Sequence, residues 1–278
     1  MKLTFLGTAA AEGFPAVFCN CEYCQEARKR GGKNIRTRSQ SLINDNLLID
    51  LPADTYLHFL QHSIRGDGIA TLLITHSHSD HFYPAELEMH GSYYAHDLKE
   101  PMLNIVCSAD VAKILAKKMS EMDKRVTPTL SVHVAKTFVP MTFGDYSVTP
   151  LPARHASPET ALMYLIRQSG RTLLYAHDTG YFFDEVFVWL EQQGIHLDGI
   201  SFDCTNGQIL ARDTGSHMGF ENIARVIERL RAIGAIDEGT KMIVNHFSHN
   251  AAPLQEEFEA IAEPLGCAVA YDGFCVQI

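Results

Sequence analysis

The chain has 278 residues, of which 46% are hydrophobic and 20% are charged, a balance typical of a globular protein. Its formal net charge of −10 at pH 7 repels the backbone of nucleic acids, which makes nucleic acid a disfavoured partner. The sequence contains no run of about 18 apolar residues, so it predicts no membrane span. The seven cysteines, an odd number in a chain without an evident export signal, favour reduced thiols and a cytoplasmic location.

The apolar run KLTFLG, residues 2–7, predicts a first β-strand rather than a signal peptide, because Glu12 and Pro15 interrupt the apolar pattern behind it. Similar strand-like runs recur throughout, and helix-like segments lie between some of them. The segments with helical periodicity and a terminal signal are residues 108–122 (N-cap Ser108), 220–234 (C-cap Gly234) and 253–266 (Pro253 in the first turn). This mixture predicts a single α/β domain spanning 1–278, with helices packed outside two sheets.

Three cysteines lie close together in the sequence FCNCEYC, as Cys19, Cys21 and Cys24. In a reducing compartment this C-x-C-x2-C spacing predicts a structural metal site that still needs one more ligand. The alternative is that the three thiols are small core side chains, but the residues between them do not suit a core. Single cysteines in apolar runs are expected in the core, and these are Cys107, Cys204, Cys267 and Cys275.

Several strand-like runs end in a residue that can bind a metal ion. His76 follows TLLIT, His155 follows TPLPAR, Asp178 follows LLYAH, and His246 follows MIVN. Strands that end at one edge of a sheet bring together residues that are distant in sequence, on loops held by a rigid scaffold. We therefore expect these side chains to form one metal-binding site.

The sequence THSHSDH places His76, His78, Asp80 and His81 within six positions. Alternate residues leaving a strand point to the same side, so the first two histidines can share one ion. The aspartate and the last histidine, on the following turn, can face a neighbouring ion. Imidazole and carboxylate donors suit zinc, iron or manganese. Four such groups crowded together are costly unless something binds them, which favours a metal site over a purely structural cluster.

The His-x-His-x-Asp-His run after a strand resembles the metal-binding motif of the metallo-β-lactamase superfamily. This resemblance implies a four-layer αββα sandwich, within the α/β class, and two divalent metal ions at one edge of it. It also implies that Asp50, in LLIDLP, is a buried aspartate that supports the ligands without binding metal. The ligands implied are His76, His78 and His155 for one ion, Asp80, His81 and His246 for the other, and Asp178 between the two.

His249 is the expected fourth ligand of the cysteine site. It follows His246 by three residues in NHFSH, and odd offsets along an extended chain point to opposite sides. One segment can thus serve two separate sites, with His246 in the dinuclear site and His249 in the cysteine site. A zinc ion held there would join the N-terminal loop to a segment that is distant in sequence.

The Cys3His arrangement resembles the PhnP phosphodiesterases, as do LTFLGTAAAEGFPA near the start of the chain and HFSH near its end. This resemblance implies a metal-dependent phosphodiesterase that hydrolyses a small cyclic ribose phosphodiester, such as 5-phosphoribosyl 1,2-cyclic phosphate. Its cofactors would be two zinc or manganese ions, which activate water, and one structural zinc. The chain is somewhat longer than typical PhnP proteins, which leaves the substrate open. Two alternatives remain: a nuclease of the tRNA-processing type, and an oxidative protein of the PqqB type, whose N-terminal pattern is similar.

Two catalytic roles follow from the same resemblance. Asp80 is expected to act in catalysis as well as to bind metal. His217, in GSHMGFEN, resembles a histidine of PhnP-like and tRNA-processing relatives and is expected to protonate the leaving alkoxide. A helix cap or a surface position is the alternative for His217.

The stretch RKRGGKNIRTR, residues 28–38, carries six basic side chains directly after the cysteine cluster. We expect Arg36 and Arg38 in this stretch to contact a phosphate group of the substrate. The alternative, a solvated helix end, gives the same charge pattern without a ligand. The expected partner is therefore a small phosphorylated molecule and not a membrane, and a homodimer is one assembly that the sequence leaves open.

Overall fold

The computed structural model describes residues 1–91 and 93–278 and contains fourteen strands and six α-helices. The strands are β1 (Lys2–Gly7), β2 (Gln40–Ile43), β3 (Leu47–Ile49), β4 (Thr71–Leu73), β5 (Leu103–Cys107), β6 (Leu130–Val134), β7 (Met141–Phe143), β8 (Tyr146–Pro152), β9 (Leu162–Gln168), β10 (Arg171–Ala176), β11 (Gly199–Asp203), β12 (Lys241–Asn245), β13 (Cys267–Val269) and β14 (Cys275–Gln277). The helices are α1 (Glu22–Arg30), α2 (Thr55–Gln61), α3 (Ala109–Glu121), α4 (Asp184–Gln192), α5 (Phe220–Ala232) and α6 (Gln255–Ala262).

The strands form two mixed sheets of seven strands each. Their orders are β14-β1-β2-β3-β4-β5-β6 and β13-β12-β11-β10-β9-β8-β7. Within the first sheet β3 to β6 run parallel, and within the second sheet β10 to β13 do so. The parallel strands of each sheet thus end at one edge of that sheet. This is the arrangement expected from the metal-binding residues that follow several strands.

Apolar side chains fill three layers, one between the sheets and one between each sheet and its helices. The middle layer takes Leu3 and Phe5 from β1 and Tyr164 from β9, whereas Leu6 of β1 packs into the outer layer together with α3. The buried hydroxyl of Tyr164 also donates a hydrogen bond of 2.6 Å to the carbonyl oxygen of Ile74, which joins the two sheets. This arrangement confirms the four-layer αββα sandwich.

The three predicted helices are present as α3, α5 and α6. The hydroxyl of Ser108 accepts a hydrogen bond from the amide nitrogen of Val111 at the start of α3, so Ser108 is the N-cap. Gly234, two residues after the end of α5, has a φ of +70°, a conformation that glycine adopts without strain. Helix α1 was not predicted, and Cys21 stands directly before it. Among the described residues, no helix is long and apolar enough to cross a membrane.

Three residues that follow strands have left-handed backbone conformations. Asp50 after β3, Asp178 after β10 and His246 after β12 have φ values of +65°, +48° and +62°. A positive φ is uncommon for residues other than glycine and tends to occur at functional sites. All three side chains lie in or beside the cluster of histidines and aspartates at the edge of the sandwich.

Candidate metal centre

The first group of candidate ligands consists of His76, His78, His155 and Asp178. Their donor atoms all lie within 4.8 Å of one another. Nε2 of His155 is 3.1 Å from Nδ1 of His78, and Nε2 of His76 is 3.2 Å from Oδ2 of Asp178. The structure therefore brings together the three histidines and the aspartate that the sequence analysis assigned to one ion.

The second group consists of Asp80, His81, Asp178 and His246, and its donor atoms are equally close. The Nε2 atoms of His81 and His246 are 3.1 Å apart, and Nε2 of His81 is 2.8 Å from Oδ2 of Asp178. Asp178 belongs to both groups, which is the position expected of a ligand between two ions.

Two buried atoms in these groups show that the residues fit a metal. Nε2 of His76 and Oδ1 of Asp178 form no well-aligned hydrogen bond with the described residues, although they lie 3.2 Å from Asp178 Oδ2 and 2.9 Å from His246 Nδ1, respectively. A buried polar atom left in this way costs about 1–3 kcal/mol, unless a ligand satisfies it. Nitrogen and carboxylate donors with this geometry suit divalent ions such as zinc or manganese.

Neighbouring side chains fix the orientation of the ligands. The Asp50 carboxylate lies 2.6 Å from Nδ1 of His81 and accepts a 2.8 Å hydrogen bond from the amide of Thr75. Asp50 thus supports His81, as the resemblance implied. On the other side of the motif, the Glu159 carboxylate accepts hydrogen bonds from the amide and the hydroxyl of Ser77, which ties the His155 loop to the histidine-rich turn.

His217 lies beside both groups and is paired with a residue that the sequence analysis missed. Its Nδ1 atom is 2.9 Å from the carboxylate of Asp203, which is fully buried at the end of β11. Burial disfavours a charged imidazole, but the Asp203 carboxylate raises the pKa of His217 above its ordinary value. The ring centre of His217 is 4.7 Å from that of His155.

His217 is not the cap of α5, because Gly219 is the N-cap and its amide donates a hydrogen bond to the side chain of Asn222. A signal for Asp203 does exist in the sequence. The strand-like run GISFD ends in an aspartate, and the two neighbouring strands are followed closely by His246 and by Asp178. Together these residues form a third compact group of donors: Asp178, Asp203, His217 and His246.

The cysteine cluster meets His249 on the far side of the same segment. The sulfur atoms of Cys19, Cys21 and Cys24 and a ring nitrogen of His249 all lie within 4.8 Å of one another, and Cys24 Sγ is 3.7 Å from His249 Nδ1. The backbone amide of Cys24 lowers the pKa of the Cys21 thiol to about 6, so this sulfur is a ready metal ligand at neutral pH. Three sulfurs and one nitrogen suit a structural zinc ion.

The remaining cysteines are single, as expected, but not all are in the core. Cys107, Cys204 and Cys267 are buried. Cys275 is exposed, so the expectation of a core position is wrong for it. It lies on β14, the edge strand of the first sheet, where one face of the strand meets solvent.

Glu12 lies between the two metal-binding regions and was also missed. Its carboxylate accepts a hydrogen bond of 2.5 Å from the Ser248 hydroxyl and one of 3.2 Å from the amide of His249. The segment that joins His246 to His249 is therefore held from the N-terminal loop.

The structure corrects the expectation for Arg36. This side chain is buried, and its guanidinium donates hydrogen bonds to the Thr8 hydroxyl, the Ala270 carbonyl oxygen and the Gln255 side chain. Burial lowers the pKa of Arg36 to about 10, which still leaves it charged at neutral pH. Arg36 stabilises the interior and cannot receive a substrate phosphate at the surface. Arg38 is partly exposed and forms an ion pair with Asp54 at 3.1 Å.

We expect Arg36→Met to lower the free energy of unfolding by about 2–4 kcal/mol, because it leaves buried acceptors unpaired. Urea denaturation of protein with matched metal content measures this change. Arg38→Met is the control, and loss of its surface ion pair should cost less than about 1 kcal/mol. A raised KM with an unchanged denaturation midpoint in Arg36→Met would contradict the structural role.

The family profile described as "Beta-lactamase superfamily domain" matches residues 46–247. The chain belongs to the metallo-β-lactamase superfamily. It is 24% identical to coenzyme PQQ synthesis protein B of Methylobacterium radiotolerans, over 100% of both chains. Members of the superfamily are mostly metal-dependent hydrolases, and the histidine and aspartate groups of this chain could hold metal ions.

Two solved structures with low sequence identity share the superfamily fold. One is Zn(2+)-bound PqqB from Methylobacterium extorquens, with a TM-score of 0.74, 17% identity and coverage of 100% of both chains. The other is described as a new diphosphatase from the PhnP family, with a TM-score of 0.74, 19% identity, and coverage of 100% of this chain and 96% of that one. Both comparisons support the fold assignment.

Proposed function

We propose that this superfamily member is a metal-dependent phosphodiesterase that hydrolyses a small, cyclic ribose-type phosphodiester. The observation that carries the proposal is the set of seven histidine and aspartate residues in two groups that share Asp178, with the His217–Asp203 pair beside them. The similar fold of a diphosphatase from the PhnP family supports chemistry at phosphorus. The net charge of −10 favours a small substrate over RNA, because a long polyanion would be repelled.

The proposed cofactors are two zinc or manganese ions. His76, His78 and His155 would hold one ion, Asp80, His81 and His246 the other, and Asp178 would serve both. When bound, such ions activate water and offset the negative charge on the phosphoryl oxygens. A third, structural zinc would bind the cysteines and His249.

The residues of the chain would supply the proton that the leaving alkoxide needs. His217 is 23% exposed and lines the same cavity as His78, Asp178 and His246, so its ring can reach a group bound there. Asp203 holds Nδ1 of His217, which leaves Nε2 to face the substrate. A charged imidazole favoured by Asp203 is suited to donate a proton in the transition state. Asp80 would bind metal and would not transfer this proton.

Asp203→Asn is expected to lower kcat by about 10- to 100-fold, since it keeps the shape of the side chain but removes the charge that supports His217. Steady-state kinetics on a diester with an alkoxide leaving group, with metal content determined in parallel, measures the effect. The double variant His217→Ala/Asp203→Asn should be no slower than His217→Ala alone, because the two residues act as a unit. Additive losses in the double variant would show that Asp203 acts elsewhere.

The proposed function is tested by a substrate panel on metal-free protein reconstituted separately with zinc, manganese and iron. The substrates are bis-p-nitrophenyl phosphate, 2′,3′-cyclic nucleotides, a cyclic ribose phosphate and RNA. Metal-dependent hydrolysis of the small diesters, absent from an Asp178→Asn control purified in the same way, would support the proposal. Turnover of RNA alone would favour the nuclease alternative, and no diester turnover with any metal would overturn the proposal.

A second candidate is an oxidative function of the PqqB type, favoured by the relative named coenzyme PQQ synthesis protein B, which matches over its full length. Iron with oxygen uptake, in the absence of diester hydrolysis, would support this candidate. Zinc or manganese with diester cleavage would exclude it.

A further inference from the structure

The cavity over the metal-binding groups is small and borders a larger one. The first cavity, lined by His78, Asp178 and His217 among others, has a volume of about 190 Å³. The second, of about 570 Å³, shares Ala11 and Glu12 with it. Sites for small molecules commonly measure about 300–1,000 Å³, so the first cavity alone fits only the reacting group of a substrate. The second cavity adjoins it and offers space for the rest of such a molecule.

An unusual aromatic side chain lines this second cavity. Phe18 is fully exposed, and its neighbour Val17 is largely exposed. Phe18 directly precedes Cys19, so a metal held by the cysteine cluster would restrain the backbone that carries its ring. An exposed phenylalanine at the edge of this cavity offers a flat apolar face on which another ring can stack.

The charges in the second cavity are already paired. The Arg38 guanidinium contacts both carboxylate oxygens of Asp54 at 3.1 and 3.2 Å and donates a 2.8 Å hydrogen bond to the Ala11 carbonyl oxygen. Glu12 is paired with the Ser248 hydroxyl and the His249 amide. The cavity therefore provides no uncompensated positive charge for a second phosphate group. Nη2 of Arg38 donates no hydrogen bond to the described residues, so it can donate one to an uncharged group of a ligand.

We infer that the second cavity binds the nucleobase of a nucleoside phosphodiester, with the base stacked on Phe18 and an acceptor atom of the base facing Arg38. This inference rests on the proposed function and narrows its substrate class to a nucleotide. A cyclic sugar phosphate without a base would leave the Phe18 ring uncovered. A sugar with a second phosphate would meet an arginine whose charge is already paired.

The test compares two cyclic diesters that differ only in the base: 2′,3′-cyclic AMP and the 2,3-cyclic phosphate of methyl riboside. Phe18→Ala should raise KM for cyclic AMP by about 10-fold and leave the base-free diester unchanged, since base–aromatic stacking makes a contribution of this size. Phe18→Tyr, which keeps the ring, should restore the wild-type KM. Tyr56→Ala removes an exposed aromatic side chain that lines neither cavity and should change nothing. Zinc content of each variant verifies that the cysteine site is intact.

A binding measurement separates this inference from the proposed function. Calorimetric titration with adenosine 3′-monophosphate should show about 10-fold weaker binding to Phe18→Ala than to the wild type or Tyr56→Ala. If neither diester is hydrolysed but this difference is found, the proposed function fails and the base site stands. Equal binding of adenosine 3′-monophosphate to Phe18→Ala and to the wild type would overturn the base site, whatever the turnover. An equal KM of the wild-type protein for the two diesters would do so as well.

Discussion

His217→Ala is expected to lower kcat by about 10²–10⁴-fold on diesters with alkoxide leaving groups, while the protein keeps its metals. The reason is geometric: His217 lies beside the donor groups without being one of the seven expected ligands, and Asp203 holds its Nδ1 atom at 2.9 Å. Steady-state kinetics together with metal analysis of the same sample measures both effects. Loss of metal in parallel with activity would instead make His217 a ligand.

The dependence on the leaving group distinguishes proton donation from a structural role. A p-nitrophenolate leaves without a proton, so the loss in His217→Ala should shrink to a few-fold on bis-p-nitrophenyl phosphate. His196→Ala is a suitable control, because His196 is an exposed histidine paired with Asp237 and precedes β11, at the opposite end of that strand from Asp203. A loss that is equally large for both classes of leaving group would remove the role of His217 as an acid.

Cys21→Ser is expected to release the metal of the cysteine site and to lower the free energy of unfolding by on the order of 2–5 kcal/mol. The physical reason is that this site cross-links the chain over 225 residues, from Cys24 to His249, and the loss of such a link resembles the removal of a disulfide that closes a long loop. Metal analysis and urea denaturation of the folded protein measure the two changes.

Cys275→Ser provides the control for Cys21→Ser, because Cys275 is an exposed thiol outside the cluster. It should affect neither metal content nor stability. A strong chelator should abolish the difference between Cys21→Ser and the wild type, since the stabilisation comes from binding to the folded state alone. A difference that persists without metal would show that Cys21 stabilises the fold by packing instead.

The sequence is sufficient to predict the fold and most of the candidate ligands, because they lie in a dense motif or directly after strands. His76, His78 and His81 crowd into one turn, and the parallel arrangement of strands then brings Asp178 and His246 to the same edge. The expectation that His249 faces away from His246 rests on alternation along an extended chain. In the structure His246 has a left-handed φ of +62° and His249 begins a 3₁₀-helix, so the two orientations come from this bent segment instead.

Other features depend on contacts that no local pattern records. Asp203 is a single aspartate at the end of a strand and gains its role only from His217 across a loop. Arg36 belongs to a basic run, yet its partners Gln255 and Ala270 lie more than 200 residues away and bury it. The large exposed surface of Phe18 is likewise a property of the folded loop and not of its sequence.

The short connection between the two candidate metal centres sets a limit on how this chain can vary. Phe247 is buried between them, and its amide and carbonyl oxygen are hydrogen-bonded to Thr8 and Ala10. One residue inserted after Phe247 would turn the His249 imidazole away from the cysteine cluster. Deletion of one residue there would have the same effect. Insertions and deletions should therefore be tolerated far less in residues 246–249 than in the surrounding loops. The reason is that this segment sets the spacing between the ligands of two candidate metal centres.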